Sequence, residues 1–227
     1  LIPTRTRIFG NNKKFLILRG FSGAMALILY FRLLQEIPLA TTTTILFLAP
    51  IFASILGIFF VNEKVARWQW LFFLISFAGI IFIKGFDARI DLIYLILGVS
   101  SSFFSGIAFN CIRKMNTAEH PLVIILYFPL VTLPIAGVWT YYIWVKPHGV
   151  EWILLLLVGI FTQLGQYYLT RSLQTDEISK VTGVRYVEIV FSLLIGYLFF
   201  NEHFSLLVYI GMILTLLGVV LNTWYRR

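Results

Sequence analysis

The chain has 227 residues, of which 59 % are apolar and only 12 % are charged, with a formal net charge of +8. A soluble domain carries about 25 % charged residues, so this composition excludes a soluble protein and indicates a polytopic membrane protein. The basic residues lie in short loops between apolar runs rather than in one patch, which encodes membrane topology and argues against nucleic acid as a partner.

Eight apolar runs of membrane length follow one another along the chain, separated by charged or Pro/Gly loops. A helix of about 20 apolar residues spans the hydrocarbon core, so each run predicts one transmembrane helix. The predicted helices cover residues 15–35, 40–61, 68–86, 91–112, 121–144, 151–171, 178–200 and 204–225. Because the loops are short, neighbouring helices are expected to run antiparallel.

The basic loop residues predict the orientation in the membrane. If the basic N-terminal segment is cytoplasmic, that side holds twelve of them: Arg5, Arg7, Lys13, Lys14, Lys64, Arg67, Arg113, Lys114, Arg171, Lys180, Arg226 and Arg227. The opposite side holds four: Arg32, Lys84, Arg89 and Lys146. The positive-inside rule therefore predicts that both ends of this chain are cytoplasmic, in a multi-pass protein of the cell (inner) membrane.

The two halves of the chain repeat one another at a fixed offset. Asn62-Glu63 and Asn201-Glu202 each follow an apolar run, and 201 − 62 gives an offset of 139 residues. At this offset seven further pairs match without a gap: Gly20 with Gly159, Arg32 with Arg171, Leu34 with Leu173, Gln35 with Gln174, Gly57 with Gly196, Phe60 with Phe199 and Gly79 with Gly218. Matched polar residues and glycines are hard to obtain by chance in so apolar a chain, so we predict an internal duplication.

The offset predicts an inverted-topology repeat. The helix near residue 15 pairs with the helix near residue 151, five helices later, so the two copies cross the membrane in opposite directions, as in many transporters. The second repeat covers residues 91–227, and 91 − 139 places the start of the first about 48 residues before Leu1. We therefore expect residues 1–86 to hold the last three helices of the first repeat, and the chain to show eight of ten helices.

The repeated segments share a layout with a known family. The stretch from Tyr30 to Lys64 has small residues, a proline at Pro50 and an apolar run that closes on Glu63, and Tyr168 to Glu202 repeats much of this layout. Over nearly the whole chain this pattern resembles the EamA domain of the drug/metabolite transporter superfamily. The resemblance implies two five-helix repeats around a central cavity for a small metabolite. That cavity would be lined by the helices starting near 15, 40, 91, 151 and 178, with those near 68 and 204 at the periphery.

The helix predicted at 178–200 carries Arg185 and Glu188 inside an apolar span. A charge near the centre of a span costs on the order of 2.5 to 3.5 kcal/mol, so two charges need a reason. Three residues apart they share one helix face, where they either form a structural ion pair or line a polar cavity together. Their repeat counterparts are the uncharged Leu46 and Ala49, which favours a binding role over a role in building the fold.

Other polar and aromatic side chains at membrane depth are candidates for the same cavity. Gln163, Gln166 and Tyr167 stand at i, i+3 and i+4 and are expected to face inward, towards a solute or another helix. The remaining candidates are Arg19, Phe47, Tyr186, Ser105 and Asn110. Structural alternatives stay open for three of them: Arg19 snorkelling to the headgroups, Ser105 serving helix packing, and Asn110 capping a helix. Phe47 and Tyr186 match across the repeat, so their rings are candidates for stacking on a flat or cationic solute.

These residues predict a secondary transporter that binds a small metabolite between inverted repeats and exposes it alternately to the two sides. Glu188 would carry a coupling proton, bind a cationic group, or hold Arg185 ready for an anionic one, and the sequence leaves this choice open. The expected partners are the solute and the surrounding lipids, with a coupling proton or a counter-substrate as open possibilities.

Two alternatives stand beside transport: an intramembrane lipid-modifying enzyme acting through Arg185 and Glu188, and an inactive truncated transporter. The enzyme is disfavoured because catalytic groups usually gather at one membrane face, whereas the three histidines are scattered near helix ends and loops. No metal or other cofactor is expected, and the single cysteine, Cys111, excludes an intrachain disulfide.

We expect Glu188→Gln to abolish or uncouple transport while leaving expression intact, because the substitution removes the charge and keeps the shape of the side chain. Uptake or efflux, normalised to the amount of protein in the membrane, measures the effect. Unchanged transport by the variant would remove Glu188 from the site.

Overall fold

The fold is all-α. A computed structural model describes residues 9–62, 64–175 and 187–225. Within these ranges the helices are α1 (Lys13–Leu34), α2 (Leu39–Leu46), α3 (Ala49–Phe60), α4 (Arg67–Phe86), α5 (Leu92–Met115), α6 (Pro121–Tyr142), α7 (Val150–Thr175), α8 (Val187–Phe200) and α9 (Leu206–Tyr225). Seven spans in the described part of the chain are long and apolar enough to cross a membrane, with α2 and α3 counted as one, and α8 is a shorter apolar helix. The predicted class, an all-α integral membrane protein, is confirmed.

The predicted helix 40–61 is interrupted, which corrects the expectation of one continuous helix. The break lies at Phe47 and Leu48, directly before Pro50 in the first turn of α3. Proline has no N–H to donate to the carbonyl four residues earlier, and its ring clashes with that carbonyl, which favours a break at this point. Phe47 and Leu48 keep right-handed torsion angles, with φ of −67° and −69°, so α2 and α3 continue as one span.

Helices α4 and α9 pack against each other through glycines. Ser76 Oγ donates a hydrogen bond to the Thr215 carbonyl at 3.2 Å, and these two residues are 139 positions apart. Gly79 faces Thr215, and Gly218 faces Ser76. Because Ser76 and Thr215, and likewise Gly79 and Gly218, are 139 positions apart, the two contacts are repeat-related. At one end of this pair, Gln69 Nε2 donates to Asn222 Oδ1 at 2.9 Å.

Helix α5 lies between α1 and α3, and its small polar side chains bond to the backbone of its neighbours. Ser101 Oγ donates to the Ala26 carbonyl at 2.8 Å, and Asn110 Nδ2 donates to the Ala53 carbonyl at 2.9 Å. Gly106 lies against the backbone of α3, where a methyl group would come within 2.9 Å of the Ala53 nitrogen. Such close backbone approach at small residues is typical of membrane helix packing. α1 also packs on α6, and α8 packs on α2.

Glu202 caps a helix distant in the sequence. Its carboxylate accepts hydrogen bonds from the backbone N–H groups of Leu39 at 2.7 Å and Ala40 at 3.5 Å, at the start of α2. A carboxylate at this end also interacts favourably with the helix dipole. Glu63, its counterpart at the 139-residue offset, lies outside the described residues.

We expect Gly79→Ala and Gly218→Ala to destabilise the protein by about 1 to 3 kcal/mol, because each methyl group forces α4 and α9 apart. The added carbon at Gly79 would lie 2.8 Å from the Gly211 carbonyl oxygen, and at Gly218 it would lie 2.6 Å from the Phe72 carbonyl oxygen. Gly85, near the end of α4, has nothing within 4 Å of such a carbon and is the matched control. Thermal unfolding in detergent measures the effect, and equal stability of the Gly79 and Gly85 variants would contradict the close packing.

Candidate functional site

A small cavity of about 120 Å³ lies where α1, α5, α6 and α7 approach one another, with the end of α2 at its edge. The polar and aromatic side chains on its wall are Arg19, Tyr30, Ser101, Ser105, Phe109, Phe128 and Gln166. A mostly apolar wall with a few polar groups is typical of small-molecule sites, but such sites usually measure roughly 300 to 1,000 Å³. In this conformation the cavity therefore suits one end of a metabolite rather than the whole molecule.

Arg19 is the charged group of this cavity and is only 3 % exposed. Its Nη2 donates a hydrogen bond to Gln166 Oε1 at 2.8 Å, and its guanidinium carbon lies 5.2 Å from the centroid of the Phe128 ring. Two glycines that follow Arg19 on α1 make this possible. Gly20 lets α1 approach the backbone of α6, and Gly23 leaves room for the guanidinium beside Phe128. The structure thus places the guanidinium inside the helix bundle.

Arg19 is incompletely bonded for a buried cation. A guanidinium has five N–H donors, and the Nε of Arg19 is buried without a hydrogen-bond partner. Ion pairs elsewhere in the described part of the chain join Arg32 to Glu36 and Arg89 to Asp87, and no described carboxylate is paired with Arg19. By contrast, Arg89 in the loop before α5 donates to both carboxylate oxygens of Asp87 at 2.8 Å, and this hydrogen bonding raises the pKa of Arg89.

The predicted polar face of α7 is divided between two environments. Gln166 is half-buried and contacts Arg19, whereas Gln163, three residues earlier, is exposed. Tyr167 is half-buried, and its ring makes an edge contact with Tyr168 at 5.4 Å between centroids. Of the three predicted side chains, the structure thus brings Gln166 to the cavity wall.

Two further candidates lie away from the cavity wall. Asn110 is buried, and its amide donates to the carbonyls of Ala53 and Gly106, so it joins α5 to α3. Phe47 is 3 % exposed and belongs to an apolar cluster with Leu48. Ser105 does lie on the wall of the cavity.

The charged helix end is only partly described. Arg185 and Tyr186 lie outside the described residues, and Glu188 is exposed in the first turn of α8. No described residue of α8 lines the cavity, although the resemblance implied that this helix would.

The sequence analysis missed the contribution of α6. Phe128 stacks against Arg19 from this helix, and Tyr30 of α1 was also not predicted. The available signal was Pro129, directly after Phe128 and inside α6. Proline within a membrane helix is tolerated where neighbouring groups bond the freed backbone, so an aromatic residue beside it is a candidate for an interior position.

Comparison with known proteins decides the family. The profile of the EamA-like transporter family matches residues 1–85 and 92–224. The chain belongs to this family. A solved crystal structure of a protein shares the fold, with a TM-score of 0.70 at 15 % identity over 99 % of this chain and 80 % of the other.

Three relatives illustrate the EamA-like proteins to which the chain is similar. The pseudopaline exporter CntI of Pseudomonas aeruginosa is 31 % identical, with 82 % of this chain and 66 % of that protein covered. Solute carrier family 35 member G1 of Mus musculus is 30 % identical, with 89 % and 60 % covered. The S-adenosylmethionine uptake transporter of Rickettsia conorii is 26 % identical, with 73 % and 56 % covered. The match therefore spans 56 to 66 % of the length of these relatives, which is less than two thirds of each.

We expect Gln166→Leu to destabilise the protein by about 1 to 3 kcal/mol, because Arg19 loses the amide oxygen that accepts its hydrogen bond. The same change at the exposed Gln163 is the control and should stay within about 0.5 kcal/mol. In an Arg19→Met background the cost of Gln166→Leu should disappear, since no buried donor remains to be satisfied. Unfolding of the four variants in detergent measures this coupling, and additive effects would show that the two side chains are independent.

Proposed function

We propose that the chain is part of a secondary transporter that binds a small metabolite at the Arg19 cavity and exposes it alternately to the two sides of the membrane. The observation that carries this proposal is the cavity itself, in which polar groups from α1, α5 and α7 converge inside spans that are otherwise apolar. Ionisable groups at membrane depth are costly and are commonly retained for substrate or ion pathways.

The depth of the cavity suits this function. Arg19 lies six residues after the first residue of α1, which is about 9 Å along the helix axis. Ser105 lies 13 residues after the first residue of α5, about 20 Å along a helix of about 36 Å. Along the helices the cavity thus extends from near the start of α1 to the middle of α5. Transporters that alternate between two open states hold their solutes near the middle of the membrane, which a cavity beside the middle of α5 would fit.

The packing of α4 on α9 supports the two proposed inverted repeats, residues 1–86 and 91–227. The contact of Gly79 with Thr215 and the contact of Gly218 with Ser76 join equivalent positions of the two repeats. Such paired contacts are expected at a pseudo-two-fold axis between inverted copies. Small residues at this contact keep the two helices close together. We propose that the halves rock against each other at this contact while the Arg19 cavity opens to one side and then to the other.

The names of the relatives support small solutes as substrates. One relative is named an exporter of pseudopaline and another an uptake transporter of S-adenosylmethionine. One of these names describes export and the other uptake, so relatives of this chain differ in the direction of transport.

Metabolite profiling of cells tests the proposal with two variants of α5. We expect expression of the chain to shift unmodified solutes between cytoplasm and medium, and Ser105→Trp to abolish the shift because the indole fills the cavity. Phe103→Trp is the matched control, since Phe103 is an exposed aromatic residue two positions earlier on the same helix, and it should retain the shift.

Membrane levels of each variant, measured by immunoblotting, separate loss of function from loss of protein. Chemically altered lipids in the same extracts would overturn transport in favour of the enzyme. Profiles that equal those of cells without the chain, at normal membrane levels, would show that the chain is inactive as it stands.

A further inference from the structure

We propose that the solute carries a carboxylate and that Arg19 binds it inside the cavity. This inference rests on the proposed transport function and names the class of substrate. The carboxylate would supply the negative charge that the guanidinium lacks in the described part of the protein, and Gln166 and Phe128 would hold the guanidinium in position for it.

The first support is the balance of charge around Arg19. Burying a guanidinium without an anion is strongly unfavourable, so a negatively charged partner would stabilise Arg19. The described carboxylates with assigned contacts are engaged elsewhere, with Arg32, Arg89 or backbone N–H groups at helix starts and loops: Glu36, Asp87, Glu119, Glu151 and Glu202. Glu188 is exposed at the start of α8. No described carboxylate forms an ion pair with Arg19.

The second support is the way in which Arg19 is held. Gln166 accepts from Nη2, Phe128 lies against the guanidinium at 5.2 Å, and Gly23 of the next turn provides the space. These contacts fix the planar group and yet leave Nε–H buried and without a partner. A guanidinium fixed in this way, with donors to spare, is suited to the flat, two-oxygen geometry of a carboxylate.

The third support is the size and character of the cavity. About 120 Å³ accommodates a small planar group, and the aromatic rings of Tyr30, Phe109 and Phe128 suit an apolar or aromatic body beside it. One guanidinium neutralises one negative charge, so a monovalent carboxylate gives a neutral complex, whereas a phosphate dianion leaves excess negative charge at membrane depth. A cationic group would be repelled, and a neutral solute would leave Arg19 without a counter-charge.

The test uses two probes of the same shape, benzoate and benzamide, on the purified chain in detergent. We expect benzoate to raise the unfolding temperature in a concentration-dependent way, because a ligand that binds only the folded state stabilises it, and benzamide to have little effect. In Arg19→Gln the affinity for benzoate should fall at least about tenfold, as expected for the loss of hydrogen bonds to a charged partner. Arg32→Gln, the same change at an exposed arginine of α1, is the control and should bind benzoate as the unchanged protein does.

The stability of the variants without any probe separates binding from a structural role. If Arg19 serves binding, Arg19→Gln removes an incompletely paired buried charge and should unfold at the same or a higher temperature than the unchanged protein. If Arg19 only holds the helices together, the variant should unfold earlier. Should Arg19→Gln fail to fold, Arg19→Lys keeps the charge without the planar fork, and it should bind benzoate more weakly than the unchanged protein but more strongly than benzamide.

Several results would overturn the proposal: equal stabilisation by benzamide, an undiminished response of Arg19→Gln, or stronger stabilisation by inorganic phosphate or sulfate than by benzoate. The last result would indicate a phosphate-type ligand, such as a lipid headgroup or a free phosphate ester. Binding of benzoate without any redistribution of solutes in cells would sustain the carboxylate site and refute transport. If cells redistribute solutes that lack a carboxylate, or if the redistribution persists in Arg19→Gln, transport is sustained and the carboxylate site is refuted.

Discussion

Polar groups at membrane depth have no water to bond to, and much of this structure follows from where they find partners instead. Ser101, Ser102 and Asn110 of α5 donate to backbone carbonyls of α1, α2 and α3, and Ser102 and Asn110 also to carbonyls of their own helix. Between α4 and α9, Ser76 donates to the Thr215 carbonyl and Gln69 donates to the side-chain amide oxygen of Asn222. Because these acceptors are carbonyls and amides on facing helices, small residues such as Gly79, Gly106 and Gly218 are needed to bring the helices within bonding distance.

Arg19 departs from this rule, and the departure gives the site its character. Its neighbours supply one hydrogen bond and one aromatic ring, but no described carboxylate neutralises it. An apolar side chain at position 19 would stabilise the helix bundle at least as well as the arginine does, because buried charges seldom stabilise as much as well-packed hydrophobic groups. The charge is therefore better understood as part of a binding site, and the two glycines that admit it belong to the same arrangement.

The sequence predicted spans far better than it predicted the direction in which their side chains point. Gln163 and Gln166 were assigned to one inward face, but one is exposed and the other contacts Arg19. In a soluble helix the apolar stripe reveals the buried side, whereas in a membrane helix the lipid face and the packed face are both apolar, so hydropathy carries little information on rotation about the axis. Asn110 shows the same limit, because nothing local reveals that its acceptor is the carbonyl of Ala53 on α3.

Hydropathy along the chain determined the membrane class and the approximate ends of the helices, because each of these depends on residues close in the sequence. The 139-residue offset and the family pattern were also readable without coordinates. Only the tertiary structure decided that Arg19 of α1, Phe128 of α6 and Gln166 of α7 meet at one cavity. Arg19 and Gln166 are 147 positions apart, and their meeting depends on how α1, α6 and α7 rotate and approach. The close approach of α1 to α6 at Gly20 and Gly23 is one part of that arrangement, and no local sequence pattern encodes it.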